Sequence, residues 1–233
     1  MLYIMILLLS TIPLHAYKVV RPSYYLQYNK IRNLYYEIHE LKDDPNRDSY
    51  NLEHVVPQSL FKKNSSLIKK DMHNIILYPE KLNLHRSNYK FTPNPNIFPT
   101  SKLLDEMGKE KVYQTKLVND YGIKTSKFRM FHPPDKFKGI IARSSMYFIS
   151  AYPEFKDDIL ERIIDPYTLL NWHCQHPVSK FEVKKNLEIF KIQQNSNIYI
   201  TNPEVLVINM EEILGESLDI FKDYEFNFYL KKN

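Results

Sequence analysis

One cysteine, one tryptophan and four glycines are all that the 233 residues contain of these types. The single thiol, Cys174, excludes an internal disulfide, so the core must hold by packing alone. A lone thiol of this kind is ordinarily a buried apolar group. So few glycines argue against a fold built on tight glycine turns. With 14 prolines and 18 tyrosines, the composition suits helices joined by proline-punctuated loops. Internal repeats, low-complexity tracts and long linkers are also lacking, and a chain of this length can bury one core of its own.

Long apolar runs are missing except at the start. Leu2 to Leu14 is apolar but shorter than the roughly 20 residues of a membrane span. Leu14-His15-Ala16 then offers a small residue suited to cleavage, so residues 1–16 are expected to be a secretory signal peptide, with 17–233 as one mature domain. An uncleaved amphipathic or anchoring segment is the alternative. The first 16 residues contain no Lys, Arg, Asp or Glu, so their removal leaves the formal charge of +5 unchanged. That charge permits a polyanionic partner without requiring one.

Apolar and aromatic residues at Tyr25, Tyr28, Ile31, Leu34, Tyr35 and Ile38 recur every three or four positions, which predicts an amphipathic helix over Tyr24–Leu41. Lys42-Asp43-Asp44-Pro45-Asn46 ends it with turn residues. Ser49–Val56 reads as a strand stopped by Pro57, and His73–Tyr78 as a second strand. Between them Leu60–Lys70 is a polar loop carrying Lys62, Lys63, Lys69 and Lys70. Such a run is either a solvated face or a phosphate-facing one. Pro79 suits the first position of a helix and Glu80 its positive end. That helix would carry Leu82, Asn83 and Arg86. The second half predicts helices over Lys138–Tyr152, Phe155–Ile163, Pro166–Cys174 and Ser179–Gln194. Strand, loop, strand and helix set among helices make an α+β arrangement.

The chemistry concentrates at Glu53 and His54. A phosphodiester resists attack because its charge repels nucleophiles and its leaving alkoxide is poor, and a hard cation relieves both problems. Mg²⁺ prefers oxygen ligands and keeps several waters, so a carboxylate and an amide carbonyl suffice from the protein. Glu53 and Asn83 supply those oxygens in this reading. His54 is left free to take a proton from an attacking water, its ordinary pKa of about 6.5 keeping it mostly neutral at pH 7. Neighbours on a regular strand face opposite ways, so the two can serve one site only where the strand ends or bulges. On the helix, Asn83 and Arg86 are three apart and share a face, whereas Asn88 falls about 140° from Asn83. Arg86 is then expected as a phosphate clamp, its planar fork matching phosphate oxygens. His173-Cys174-Gln175-His176 is too sparse for a structural zinc site, which wants four ligands at known spacings.

Three segments carry a family pattern in order: Glu53-His54-Val55-Val56-Pro57-Gln58-Ser59, Asp71-Met72-His73-Asn74-Ile75, and Lys81-Leu82-Asn83-Leu84-His85-Arg86-Ser87-Asn88-Tyr89. Together they resemble the secreted and periplasmic endonuclease I family, of the ββα-metal (His-Me finger) nucleases. The likeness continues through Lys138-Gly139-Ile140-Ile141-Ala142-Arg143, Trp172-His173, Pro177-Val178-Ser179-Lys180-Phe181-Glu182 and Ile189-Phe190-Lys191-Ile192-Gln193, from about Tyr24 to Glu204. It implies a ββα-metal core embedded in a mostly helical single domain, with His54 as general base and Glu53 and Asn83 as ligands of one Mg²⁺, for which Mn²⁺ or Ca²⁺ can substitute. Asn74 would brace the loop between the strands.

The resemblance also implies a secreted or periplasmic, sequence-tolerant endonuclease that cuts DNA, and often RNA, to 5′-phosphate ends through backbone contacts. Lys62, Lys63, Lys69, Lys70 and Arg143 are expected to touch nucleic acid. A monomer with no stable membrane insertion after signal removal is expected. Alternatives are an inactive nucleic-acid-binding pseudo-nuclease on the same scaffold, or a structural secreted protein. The chain departs from the family where His176 replaces the usual Asp before Pro-Val-Ser, at Lys185-Asn186 and at Gln194-Asn195-Ser196-Asn197-Ile198. No match stands for the loop Arg that some members aim at the phosphate, a place Lys70 or Lys63 would have to take.

Overall fold

Ile75, Ile76, Leu77 and Tyr78 are all buried, which a strand achieves only when both of its faces are covered. In the computed structural model, which describes residues 19–61, 66–93, 123–125 and 130–215, that strand is β2 (Ile75–Pro79). It pairs antiparallel with β1 (Tyr50–His54), Leu52 opposite Leu77, Glu53 opposite Ile76 and His54 opposite Ile75. Ile75 and Leu77 pack with Ile31, Tyr35 and Tyr36 of α1 (Tyr28–Ile38). Ile76 and Tyr78 turn the other way, into the main core. Period-two alternation thus sends one residue set to each of two clusters.

Helix α2 (Glu80–Arg86) follows β2 at once, with Pro79 as its cap rather than its first residue. The main core is built by α3 (Asp135–Ala151), α4 (Lys156–Arg162), α5 (Pro166–Gln175), the short α7 (Ile198–Thr201) and α8 (Glu204–Leu214), while α6 (Lys180–Gln193) sends Ile189 into the cluster of α1. The expected helices are all present, with ends shifted by up to four residues. Asp165 caps α5 by accepting from the Thr168 N–H at 2.9 Å, ahead of Pro166. Ser179 and Glu182 form a reciprocal capping box on α6. Three short strands were not expected: β3 (Lys90–Phe91), β4 (Ile123–Thr125) and β5 (Met130–His132), in the order β3-β5-β4. Runs of two or three residues are too short to show a period. The α+β class stands, the helices predominating.

Gly139 has a specific reason. A Cβ there would lie 2.6 Å from the His176 carbonyl oxygen and 2.5 Å from Nη2 of Arg143, so only glycine lets α3 approach the end of α5 this closely.

A buried polar network fixes the turn before β2. Asp71 accepts from the hydroxyls of Tyr147 and Tyr152, both at 2.9 Å, and from the His73 N–H at 3.0 Å. Tyr35 donates its hydroxyl to the carbonyls of Met72 and Ile75, and Lys185 donates to the Ile75 carbonyl at 2.7 Å. The elements α1, α3 and α6 therefore converge on Asp71–Ile75. Every buried main-chain carbonyl they reach would otherwise be costly.

Two buried histidines make the fold acid-sensitive. Burial, aided by the Lys185 ammonium, pushes His73 down to about 3, and burial with the Arg143 guanidinium does the same to His173. Both stay neutral in the native state, while the unfolded chain takes up their protons below about pH 6.5. Their contribution is present above pH 6.5 and is lost as pH falls toward 3. Between pH 7 and 5 each loses on the order of 2 kcal/mol. Burial raises the carboxyls of Asp71 and Glu53, which act in the opposite direction. The histidine part is therefore isolated by comparison with His173→Gln. In urea titrations that variant should lose about 2 kcal/mol less between pH 7 and 5; equal losses in the two proteins would contradict the assignment.

Candidate active site

β1 stops at His54, and its last two side chains are both buried, each residue only 7% exposed. Alternation still holds there. Glu53 points toward α2 and the main core, and His54 toward Tyr28 of α1, ring edge to ring face at 6.0 Å between centroids. The two groups flank the strand end instead of lying side by side on one face.

The His54 ring has a defined tautomer. Its Nε2 lies 2.7 Å from the Lys69 carbonyl oxygen, which can only accept, so Nε2 carries the hydrogen. Nδ1 then holds the lone pair. The amide nitrogen of the exposed Gln58 lies 3.1 Å from Nδ1 and 3.3 Å from Nε2, so it rests against the ring and lies along neither nitrogen's in-plane direction. Burial holds the imidazole below the usual histidine range; Arg86 and Lys69 add to this and the Lys69 carbonyl opposes it. The segment just after His54 is clamped by Asn74, which is fully buried. Asn74 Oδ1 accepts from the Val56 N–H at 2.8 Å, Nδ2 donates to the Val56 carbonyl at 3.0 Å, and the Asn74 carbonyl accepts from the Val55 N–H at 3.0 Å.

Arg86 differs from expectation. It is 1% exposed and turned inward. Nη1 donates to Glu53 Oε1 at 2.6 Å and to the His54 carbonyl at 2.9 Å, and Nη2 donates to the Val55 carbonyl at 2.8 Å. Its guanidinium sits 4.4 Å over the Phe91 ring. The fork that matches a phosphate matches a carboxylate and two carbonyls equally well, and a buried carboxylate needs a counter-ion. Burial raises the Glu53 carboxyl, and Arg86 partly offsets that rise.

Asn83 lies one turn N-terminal to Arg86 on the same face of α2, half-buried, with no side-chain hydrogen bond among the described residues. A carboxylate oxygen and an amide oxygen are the donors a hard cation takes. Among the described residues no group of three or more His, Cys, Asp or Glu is placed to hold a metal.

The model of the family described as "Endonuclease I" matches residues 24–204. This chain belongs to the endonuclease I family. It is also 30% identical over 137 residues to a protein named "Endonuclease-1" from Buchnera aphidicola subsp. Baizongia pistaciae (strain Bp). That match covers 59% of this chain and 48% of the relative, so the chain spans about half the length of that relative.

The cation set expected to touch nucleic acid is rearranged. Arg143 is 1% exposed and paired bidentately with Glu182, Nε to Oε1 at 2.7 Å and Nη2 to Oε2 at 2.8 Å. A third bond runs from Nη1 to the His176 carbonyl at 2.9 Å. It joins α3 to α6 and is withdrawn from any surface, because Glu182, the capping residue of α6, is itself buried. Lys69 and Lys70 are half-buried in a 3-10 turn, Ile68–Lys70. Lys70 donates to the Gln27 side chain at 3.3 Å, while Lys69 meets His54 through its carbonyl. Lys62 and Lys63 lie outside the described residues. Gln58, Tyr28 and the Lys69 carbonyl were not foreseen. A main-chain carbonyl has no signature in the sequence, and only Gln58 lay inside the quoted motif.

Proposed function

We propose that this endonuclease I family protein is a metal-dependent nuclease that hydrolyses phosphodiester bonds of DNA with little sequence preference. The observation that carries the reading is the His54 tautomer: Nε2–H is tied to the Lys69 carbonyl, which leaves the lone pair on Nδ1. His54 is the general base. Nδ1 accepts the proton of the attacking water, and the Lys69 carbonyl favours the imidazolium that results. The ring stays in place because Asn74 and Arg86 bind the main chain of His54, Val55 and Val56.

Glu53 and Asn83 would hold the divalent ion, Mg²⁺ in this reading, with Mn²⁺ or Ca²⁺ able to take its place. The residues fit. Arg86 occupies Oε1 of Glu53, no other side chain donates to that carboxylate among the described residues, and the Asn83 amide is uncommitted. When bound, the ion neutralises the phosphate and stabilises the leaving oxygen. Arg86 orients Glu53 and does not itself touch phosphate.

We read β1, β2 and α2 as the ββα-metal unit of the His-Me finger nucleases. Residues 1–16, outside the described residues, would act as the signal peptide of a secreted or periplasmic monomer, and the products would carry 5′-phosphates. No described helix is long and apolar enough to cross a membrane. Supercoiled plasmid should become nicked and then linear with the protein and Mg²⁺, and remain supercoiled when EDTA is added. Absence of nicking in Mg²⁺ would remove the proposed activity.

A further inference from the structure

A groove of about 470 Å³ opens beside the strand end. Its near wall is Pro57, Ser59 and Leu60, three to six residues past His54; its far wall is Lys90, Arg162 and Ile163, with Asn88 between them at the end of α2. The far wall is fixed. The Phe91 N–H donates to the Ile163 carbonyl at 2.7 Å, and Lys90 Nζ to the Glu161 carbonyl at 2.7 Å. No carboxylate among the described residues lines the groove. Lys90 uses one of its three donors on Glu161. The Arg162 pair with Asp158, 3.2 Å, is solvent-exposed and so weak that a phosphate can compete with it. A volume in the range of small-molecule sites, lined by three apolar side chains, two cations, a hydroxyl and an amide, suits one nucleotide.

Resting on the nuclease reading, we propose that this groove seats the sugar–phosphate unit next to the bond being cut. The phosphate lies against Lys90 and Arg162, and the apolar face of the sugar against Pro57, Leu60 and Ile163. Recognition is then by backbone, one strand at a time, with no base-edge contact required.

The test measures binding of a fluorescein-labelled single-stranded DNA of about twelve nucleotides by anisotropy, in EDTA so that cleavage is silent, across a range of salt. In Lys90→Gln and Arg162→Gln the slope of log affinity against log salt should fall by about 0.7 for each cation lost, and affinity should drop severalfold. Lys42→Gln, which lines no part of the groove, should leave the slope as it is. In Mg²⁺ the same groove variants should lose nicking mainly through a higher KM. An unchanged slope in the variant that combines Lys90→Gln and Arg162→Gln overturns the groove while leaving the nuclease reading in place. A reduced slope in a protein that never nicks plasmid supports the groove and removes the nuclease reading instead.

Discussion

His54→Gln should lower Mg²⁺-dependent plasmid nicking by about 10²–10⁴-fold, the range that a positioned general base contributes, with a melting temperature close to that of the parent. Glutamine is chosen because its amide N–H can still donate to the Lys69 carbonyl, which His54 meets at 2.7 Å. What it lacks is a nitrogen able to take and keep a proton. His54→Ala should fall as far, and its additional loss of the Lys69 contact should appear as reduced stability. If the glutamine variant nicks within threefold of the parent, Nδ1 is not the base and the tautomer argument fails. Single-stranded DNA affinity in EDTA should be unaltered by His54→Gln, which separates a lost chemical step from lost binding.

Much of this site was legible in the residues, and the reasons differ from one residue to the next. Asn74 was expected as a brace only through the family resemblance, because alone it reads as a turn residue; its clamp is on Val56, 18 residues away, and on Val55. The two paired strands and α2 followed from apolar runs bounded by prolines. The helices of the second half followed from capping residues such as Asp165 and Ser179. What could not be read was where the cations point. Arg86 and Arg143 each turn inward to a carboxylate 33 and 39 residues distant. A guanidinium in a sequence looks the same whether its partner is a phosphate outside or a Glu inside. The choice is made by the burial of Glu53 and Glu182, a tertiary fact. The same holds for the faces of β1. The pattern requires Glu53 and His54 to diverge, and they do, but that the strand ends there is set by Asn74 and Arg86 binding the chain beyond it.

Arg86→Met should cost about 3–5 kcal/mol of unfolding free energy, the usual result of removing one partner from a buried ion pair. The Glu53 side chain is only 9% exposed, so its carboxylate would be left without a counter-ion. The carbonyls of His54 and Val55 would each lose a charged donor as well. Because the carboxylate is the main liability, neutralising it should return part of the loss. Glu53→Gln combined with Arg86→Met should be more stable than Arg86→Met alone, by a margin that a double-mutant cycle in urea measures. The remaining deficit should be about 1–2 kcal/mol for each of the two carbonyl bonds. Nicking should not follow stability. The double variant folds better than Arg86→Met yet lacks the Glu53 carboxylate, so it should be as inactive as Glu53→Gln. If the double variant is no more stable than Arg86→Met, Arg86 serves the main chain alone and Glu53 needs no partner. If it recovers nicking along with stability, Glu53 is a structural acid, and the divalent ion must find its oxygen ligands elsewhere.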